Sequence, residues 1–231
     1  MRYISDGFFQ AIELIFSMNE ETWSAVITTV RLTLLSMSFT LAIGLPLGFL
    51  LGYFDFPFKR VIRTAVDTLL ALPTVVVGLV VYAFISNRGP LGSWRLLFTL
   101  EGMAIGQTIL ALPIVTALTA SAIESLDAGL RVTLATLGAS GWRMALTCLA
   151  ESRFALLVAA MTAYGRIVAE VGVSMMLGGN IKWHTRTITT AITLETGKGD
   201  FALGIALGLL LLLMSFALNA ALSFLRRRAE V

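Results

Sequence analysis

The chain has 231 residues, of which 57% are hydrophobic and 13% charged, with a formal net charge of +3. Soluble domains carry roughly 25% charged residues, so this composition excludes an ordinary water-soluble domain and points to an integral membrane protein with several spans. The single cysteine excludes an internal disulfide, no Cys/His spacing suits a metal, and the dispersed cations form no nucleic-acid footprint.

Met1 to Thr22 does not have the form of a signal peptide, because Asp6, Gln10 and Glu13 interrupt its apolar stretch. Ile4, Phe8, Ile12 and Ile15 recur at helical spacing and predict a helix lying on the membrane surface. Span one is expected from about Ser24 to Leu51, with Arg31 near enough to its start to snorkel. Gly44, Gly48 and Gly52 share one helix face and predict close approach of another backbone. Pro46 within that run predicts a kink.

Span two is expected from about Val61 to Ile85 and span three from about Met103 to Ile123. Both carry Ala-Leu-Pro, at Ala71 to Pro73 and Ala111 to Pro113, which suits either a static bend or a movable gate. Glu124 to Arg153 is polar enough to leave the membrane. Span four is expected from about Phe154 to Leu177, followed by a threonine-rich connection, Gly178 to Asp200. Span five, Phe201 to Leu225, carries no charge and ends on Arg226-Arg227-Arg228, which marks the cytoplasmic side. Five spans then leave nine cations inside, among them Lys59, Arg60, Arg63, Arg131, Arg143 and Arg153, and seven outside, among them Lys182, Arg186 and Lys198.

Two stretches carry the functional signal. In the first, Leu130, Leu134 and Leu137 make one apolar stripe and Trp142, Leu146 and Leu149 another, separated by Gly138-Ala139-Ser140-Gly141. Two short helices around a glycine turn form a knob that rests on its own spans or fits a groove on a partner. In the second, Arg166 and Glu170 lie deep in span four, where charges must face protein or water. Four residues apart, they either neutralise each other in packing or line a path for an anion. Gly178, Gly179 and Asn180 close the span, and Thr189 and Thr190 follow among six threonines. These form a polar outer loop or a set of donors for an oxyanion.

The segment Leu137-Gly138-Ala139-Ser140-Gly141-Trp142-Arg143 resembles the coupling loop of type I ABC importer permeases, with Gly138 on the family glycine. Val132-Thr133-Leu134 stands where Glu-Ala-Ala is usual, and Ala150-Glu151 where Leu-Pro is common. Tyr164 to Gly172, Met175 to Asn180, Thr189 to Ile192 and Leu194 to Asp200 are similar to the permease subunits of tungstate importers, with molybdate permeases next. The resemblance covers about Thr22 to Leu225.

It implies an all-α integral membrane protein with about five transmembrane helices, a cytoplasmic coupling-helix loop and an N-terminal interfacial helix. The expected divisions are an amphipathic segment 1–22, a transmembrane domain 23–226 with its coupling loop at about 127–153, and a cytoplasmic tail 227–231. The implied function is ATP-driven import of tungstate or a similar oxyanion across the cell inner membrane. Molybdate, sulfate, an amino acid or ion-coupled secondary transport are the alternatives.

The chain lacks a G-x4-G-K-[ST] loop, so it is not expected to bind ATP through a P-loop. The resemblance implies that ATP and Mg are bound by a partner ATPase subunit and that this chain is no enzyme, with no catalytic or metal residue. The implied partners are a second copy, that ATPase, an extracytoplasmic substrate-binding protein and membrane lipid, with no nucleic acid. The expected site residues are Leu137 to Arg143 for coupling, and Arg166, Glu170, Gly178, Gly179, Asn180, Thr189 and Thr190 for the path or gate.

Overall fold

The computed structural model describes residues 6–9, 12–13 and 19–229, and within them the secondary structure is all helical. Most of the predicted N-terminal surface helix, including Ile4 and Ile15, lies outside the described residues, as do residues 230–231. Within that segment Asp6–Phe9 is helical, and Phe8 and Phe9 are exposed.

The first long helix, α1, runs Glu20–Tyr53. Asn19 starts it by accepting the Thr22 amide at 3.1 Å, and Glu20 and Glu21 suit the positive end of its dipole. Next come α2 (Lys59–Leu69), α3 (Thr74–Ile85), a 3-10 turn (Gly92–Trp94) and α4 (Leu100–Glu124). The order continues through α5 (Ala128–Thr136), α6 (Gly141–Glu151), α7 (Arg153–Val168), α8 (Gly172–Gly178), α9 (Ile188–Gly197) and α10 (Phe201–Ala229). Three of these helices are long and apolar enough to cross a membrane, or up to five spans if each pair bent at a short break counts as one.

Two predicted spans prove to be interrupted. Val61–Ile85 is α2 and α3 with a break at residues 70–73, because Pro73 sits just before α3 and cannot continue a helix from its N-terminal side. Phe154–Leu177 is α7 and α8 with a break at 169–171. The predicted connection Gly178–Asp200 contains a helix, α9. Helix α10 also continues through the predicted tail to Ala229.

The chain divides into two compact units. One comprises Met1–Ser36, Pro73–Gln107 and Gly165–Val231; the other comprises Met37–Leu72 and Thr108–Tyr164. In the second unit the glycine seam packs α1 on α4. A Cβ at Gly44 would sit 2.9 Å from Val115 Cβ, one at Gly48 2.6 Å from the Thr116 carbonyl oxygen, and one at Gly52 2.6 Å from that of Ala120. The ascending order on both helices means they run in the same direction. In the first unit α9 and α10 pack on the start of α1 through Ala25, Ile188, Ala191, Leu207 and Leu210. Gly78 of α3 and Gly106 of α4 approach α8 closely, at Met176 and Val173 respectively.

Candidate functional site

The unit containing α5 and α6 presents the first candidate. Asp127 begins α5 by accepting the Gly129 amide at 2.8 Å. The helix ends in a Schellman turn: the Ala139 amide donates to the Leu134 carbonyl and the Gly138 amide to that of Ala135, both at 3.0 Å. That turn needs a left-handed residue, and Gly138 supplies it with φ of +76°. Ser140 is extended and α6 starts at Gly141.

The tip of this helix pair is apolar and uncovered. Leu137 is 77% exposed and Trp142 73%. Val132, Leu146 and Arg143 are exposed as well. A Cβ at Gly138 or Gly141 would meet nothing within 4 Å. Leu130, Leu134 and Leu149 are half-buried and Cys148 is fully buried, so the predicted stripes hold the pair together at their inner ends only. An exposed apolar cluster of this kind has the character expected of an interaction surface.

The break after α7 and the helix that follows it, α8, lie in the other unit. Glu170 sits at the break, only 4% exposed. Its Oε1 accepts the Val173 amide at 3.0 Å, which caps α8, and its carbonyl accepts the Thr189 hydroxyl at 3.1 Å. Arg166 Nη1 lies 4.0 Å from Glu170 Oε2, and the Arg166 side chain is 40% exposed. The two charges therefore meet, but the carboxylate is held mainly by backbone while the guanidinium keeps a free side.

The end of α8 is equally tight. Gly179 has φ of +67°, and a Cβ there would lie 2.8 Å from the Phe98 ring; one at Gly178 would lie 2.5 Å from Met103 Sδ. Asn180 also has a left-handed φ of +52°, which asparagine tolerates. The threonines do not stand open as donors. Thr185 donates to the Gly178 carbonyl, and Thr187 and Thr190 form a reciprocal capping box at the start of α9. Thr189 and Thr190 are both buried. Their hydroxyls hold the α8–α9 connection together in this conformation.

A buried amide bridge was not foreseen from the sequence. Gln107 of α4, 3% exposed, accepts the Ser36 hydroxyl of α1 at 2.8 Å and donates to Ser174 of α8 at 3.2 Å. The signal was present: an amide side chain inside an otherwise apolar span needs a partner. Three of the cations expected outside are likewise engaged. Lys182 and Arg186 converge on Glu21, with Lys182 Nζ 2.7 Å from its carboxylate, and Lys198 pairs with Glu195 at 2.9 Å. Among the described residues no group of three or more His, Cys, Asp or Glu is placed to hold a metal.

Residues 44–231 match the family described as binding-protein-dependent transport system inner membrane component. The chain is 52% identical to the tungstate uptake system permease protein TupB of Campylobacter jejuni, over 97% of this chain and 94% of that protein. It is 36% identical to the TupB of Peptoclostridium acidaminophilum, over 96% and 97% respectively. Its fold resembles that of the inward-facing MetNI methionine ABC transporter, with a TM-score of 0.74 and 19% identity over 92% of this chain and 97% of that one. With a family model matching most of the chain and these relatives matching nearly all of it, the chain belongs to the binding-protein-dependent inner membrane components, the permease subunits of type I ABC importers.

Proposed function

We propose that this chain forms the membrane path through which tungstate, or a similar tetrahedral oxyanion, enters the cell. The observation that carries this reading is the 52% identity to a tungstate uptake permease across 97% of the chain. As a permease subunit the chain is a transport component, not an enzyme. ATP and Mg belong to a cytoplasmic ATPase partner, and a separate binding protein delivers the anion from outside. Two copies enclose one path, with both C-termini in the cytoplasm.

The exposed tip at Leu137 and Trp142 suits insertion into a groove on the ATPase. Closure of the ATPase dimer pushes on that tip, and the spans rearrange. The broken span supplies the gate. Arg166, half-exposed beside a carboxylate, attracts a dianion while Glu170 keeps the attraction weak enough for release. Gly178, Gly179 and Asn180 end α8 in conformations that leave little slack, so a shift of Glu170 passes directly to the α8–α9 connection. In the present conformation Thr189 and Thr190 take part in that connection.

Molybdate and sulfate are the nearest alternatives, since the chain is 27% identical to the molybdenum permease ModB and 29% to the sulfate permease CysW of Escherichia coli. Elemental mass spectrometry on cells with and without this chain, supplied with all three anions together, distinguishes them. A selective loss of cellular tungsten supports the reading. A selective loss of molybdenum or sulfur moves the substrate, and no change in any of the three overturns the oxyanion assignment.

A further inference from the structure

By itself helix α2 is too short to cross a membrane. Its eleven residues reach about 16 Å, half of the roughly 30 Å hydrocarbon core. None of them is buried. At 100° per residue they sort into three faces: Lys59, Arg63, Val66 and Asp67; Arg60, Thr64 and Thr68; and Val61, Ile62, Ala65 and Leu69.

The first face is fastened. Lys59 Nζ lies 3.4 Å from Glu124 Oε1 and Arg63 Nη1 3.8 Å from Glu124 Oε2, while Arg63 Nη2 donates to Ser121 Oγ at 2.6 Å. Ser121 and Glu124 belong to the last turn of α4, a helix long enough to cross the membrane. The final charged residue of such a helix marks the level where hydrocarbon gives way to water. Helix α1 ends at the same level, because Gly52 packs against Ala120 and Ile123 of α4. The ends of two spans therefore hold α2 at the membrane surface. The second face, with Arg60, is exposed. The third is apolar and equally exposed: Val61 is 64% open, and Ile62, Ala65 and Leu69 are also uncovered.

We propose that α2 is a membrane-surface anchor that lies flat on a lipid leaflet. Val61, Ile62, Ala65 and Leu69 sit at the boundary between headgroups and acyl chains, and Arg60 faces the phosphates of anionic lipids. Three observations select lipid as the occupant. The helix lies level with two span ends, Arg60 on its rim is exposed while the carboxylates of Asp55, Asp67 and Glu124 are engaged by Lys59 and Arg63, and Phe58 beside it is 77% exposed. An apolar face at this level left in water would lose the roughly 25 cal/mol per Å² that burial supplies. The anchor fixes the ends of α1 and α4 at the surface from which α5 departs three residues beyond α4.

The test uses full-length protein in vesicles of phosphatidylethanolamine and phosphatidylglycerol. Cys148 is the only cysteine and is fully buried, so a Cys148→Ala background accepts single labels. Val61→Cys, Leu69→Cys, Arg60→Cys and Thr64→Cys each carry a fluorophore. Brominated lipid should quench positions 61 and 69 about threefold more than 60 and 64, and aqueous iodide should give the reverse order. Equal iodide quenching at all four positions overturns the proposal. Shielding of 61 and 69 from both quenchers, with copy-to-copy disulfides at Val61→Cys, overturns it in favour of a second copy. Unmodified protein provides an independent arm: a photoactivatable phosphatidylglycerol should leave adducts within residues 58–69, and labelling of the spans without labelling there also overturns the anchor.

Discussion

The α5–α6 pair and the broken span α7–α8 are the two stretches proposed to carry function, and they spend their side chains in opposite ways. The helix pair turns its largest apolar residues outward and leaves the space above Gly138 and Gly141 open. The broken span turns its polar groups inward: Glu170 caps α8, Thr189 bonds the Glu170 carbonyl, and Thr185 bonds that of Gly178. A docking surface has its partner elsewhere and can be assembled from local sequence. A gate within a membrane must satisfy its own polar groups whenever no substrate is present.

Substitutions at the two places should therefore fail differently. The largest loss is expected at Glu170→Ala. It strands the Val173 amide in a buried place, at a cost of about 1–3 kcal/mol, and should lower both thermal stability in detergent and uptake. Glu170→Gln keeps an acceptor oxygen and should recover most of the stability, while leaving Arg166 uncompensated. A Glu170→Ala variant as stable as the parent would show that the cap does not hold the break.

Next is Gly138→Asp at the exposed turn. The residue has φ of +76°, which aspartate tolerates at a cost of roughly 1 kcal/mol, and the space around it is open. Membrane levels and melting temperature should change little, while uptake and ATPase stimulation fall at least about tenfold, equivalent to 1.4 kcal/mol of lost coupling. Normal uptake in this variant would remove the docking role.

The smallest effect is expected at Arg166→Ala. Its side chain is 40% exposed and its contact with Glu170 is long, so stability should hold. A path role predicts a several-fold rise in the tungstate concentration for half-maximal uptake. Unchanged uptake kinetics would leave Arg166 as a packing residue only.

Local features carried the first region. Gly138 between two apolar stripes could be read directly, because a Schellman turn is made within one short segment and the glycine is its signature. The same holds for Gly44, Gly48 and Gly52, whose spacing predicted the close packing found on α4. The second region could not be read this way. The i, i+4 spacing paired Arg166 with Glu170, but nothing local showed that Glu170 would cap a new helix at 172 or that Thr189, nineteen residues away, would bond its carbonyl. Six threonines in one segment suited either a polar loop or a set of donors, and local spacing did not show that Thr29 on α1 and the backbone of α8 engage that segment.

The sequence by itself determined the solvent, because an apolar composition with few charges cannot be stable in water, and it determined the approximate places of the helices and turns through periodicity and glycine. Tertiary structure alone decided where the spans break, that Lys59 and Arg63 of α2 meet Glu124, and that Gln107 joins Ser36 to Ser174. The physical reason is the range of the interactions. Hydrophobic period and backbone conformation act over a few residues, whereas a buried hydrogen bond in a membrane protein needs a partner whose position only the folded chain supplies.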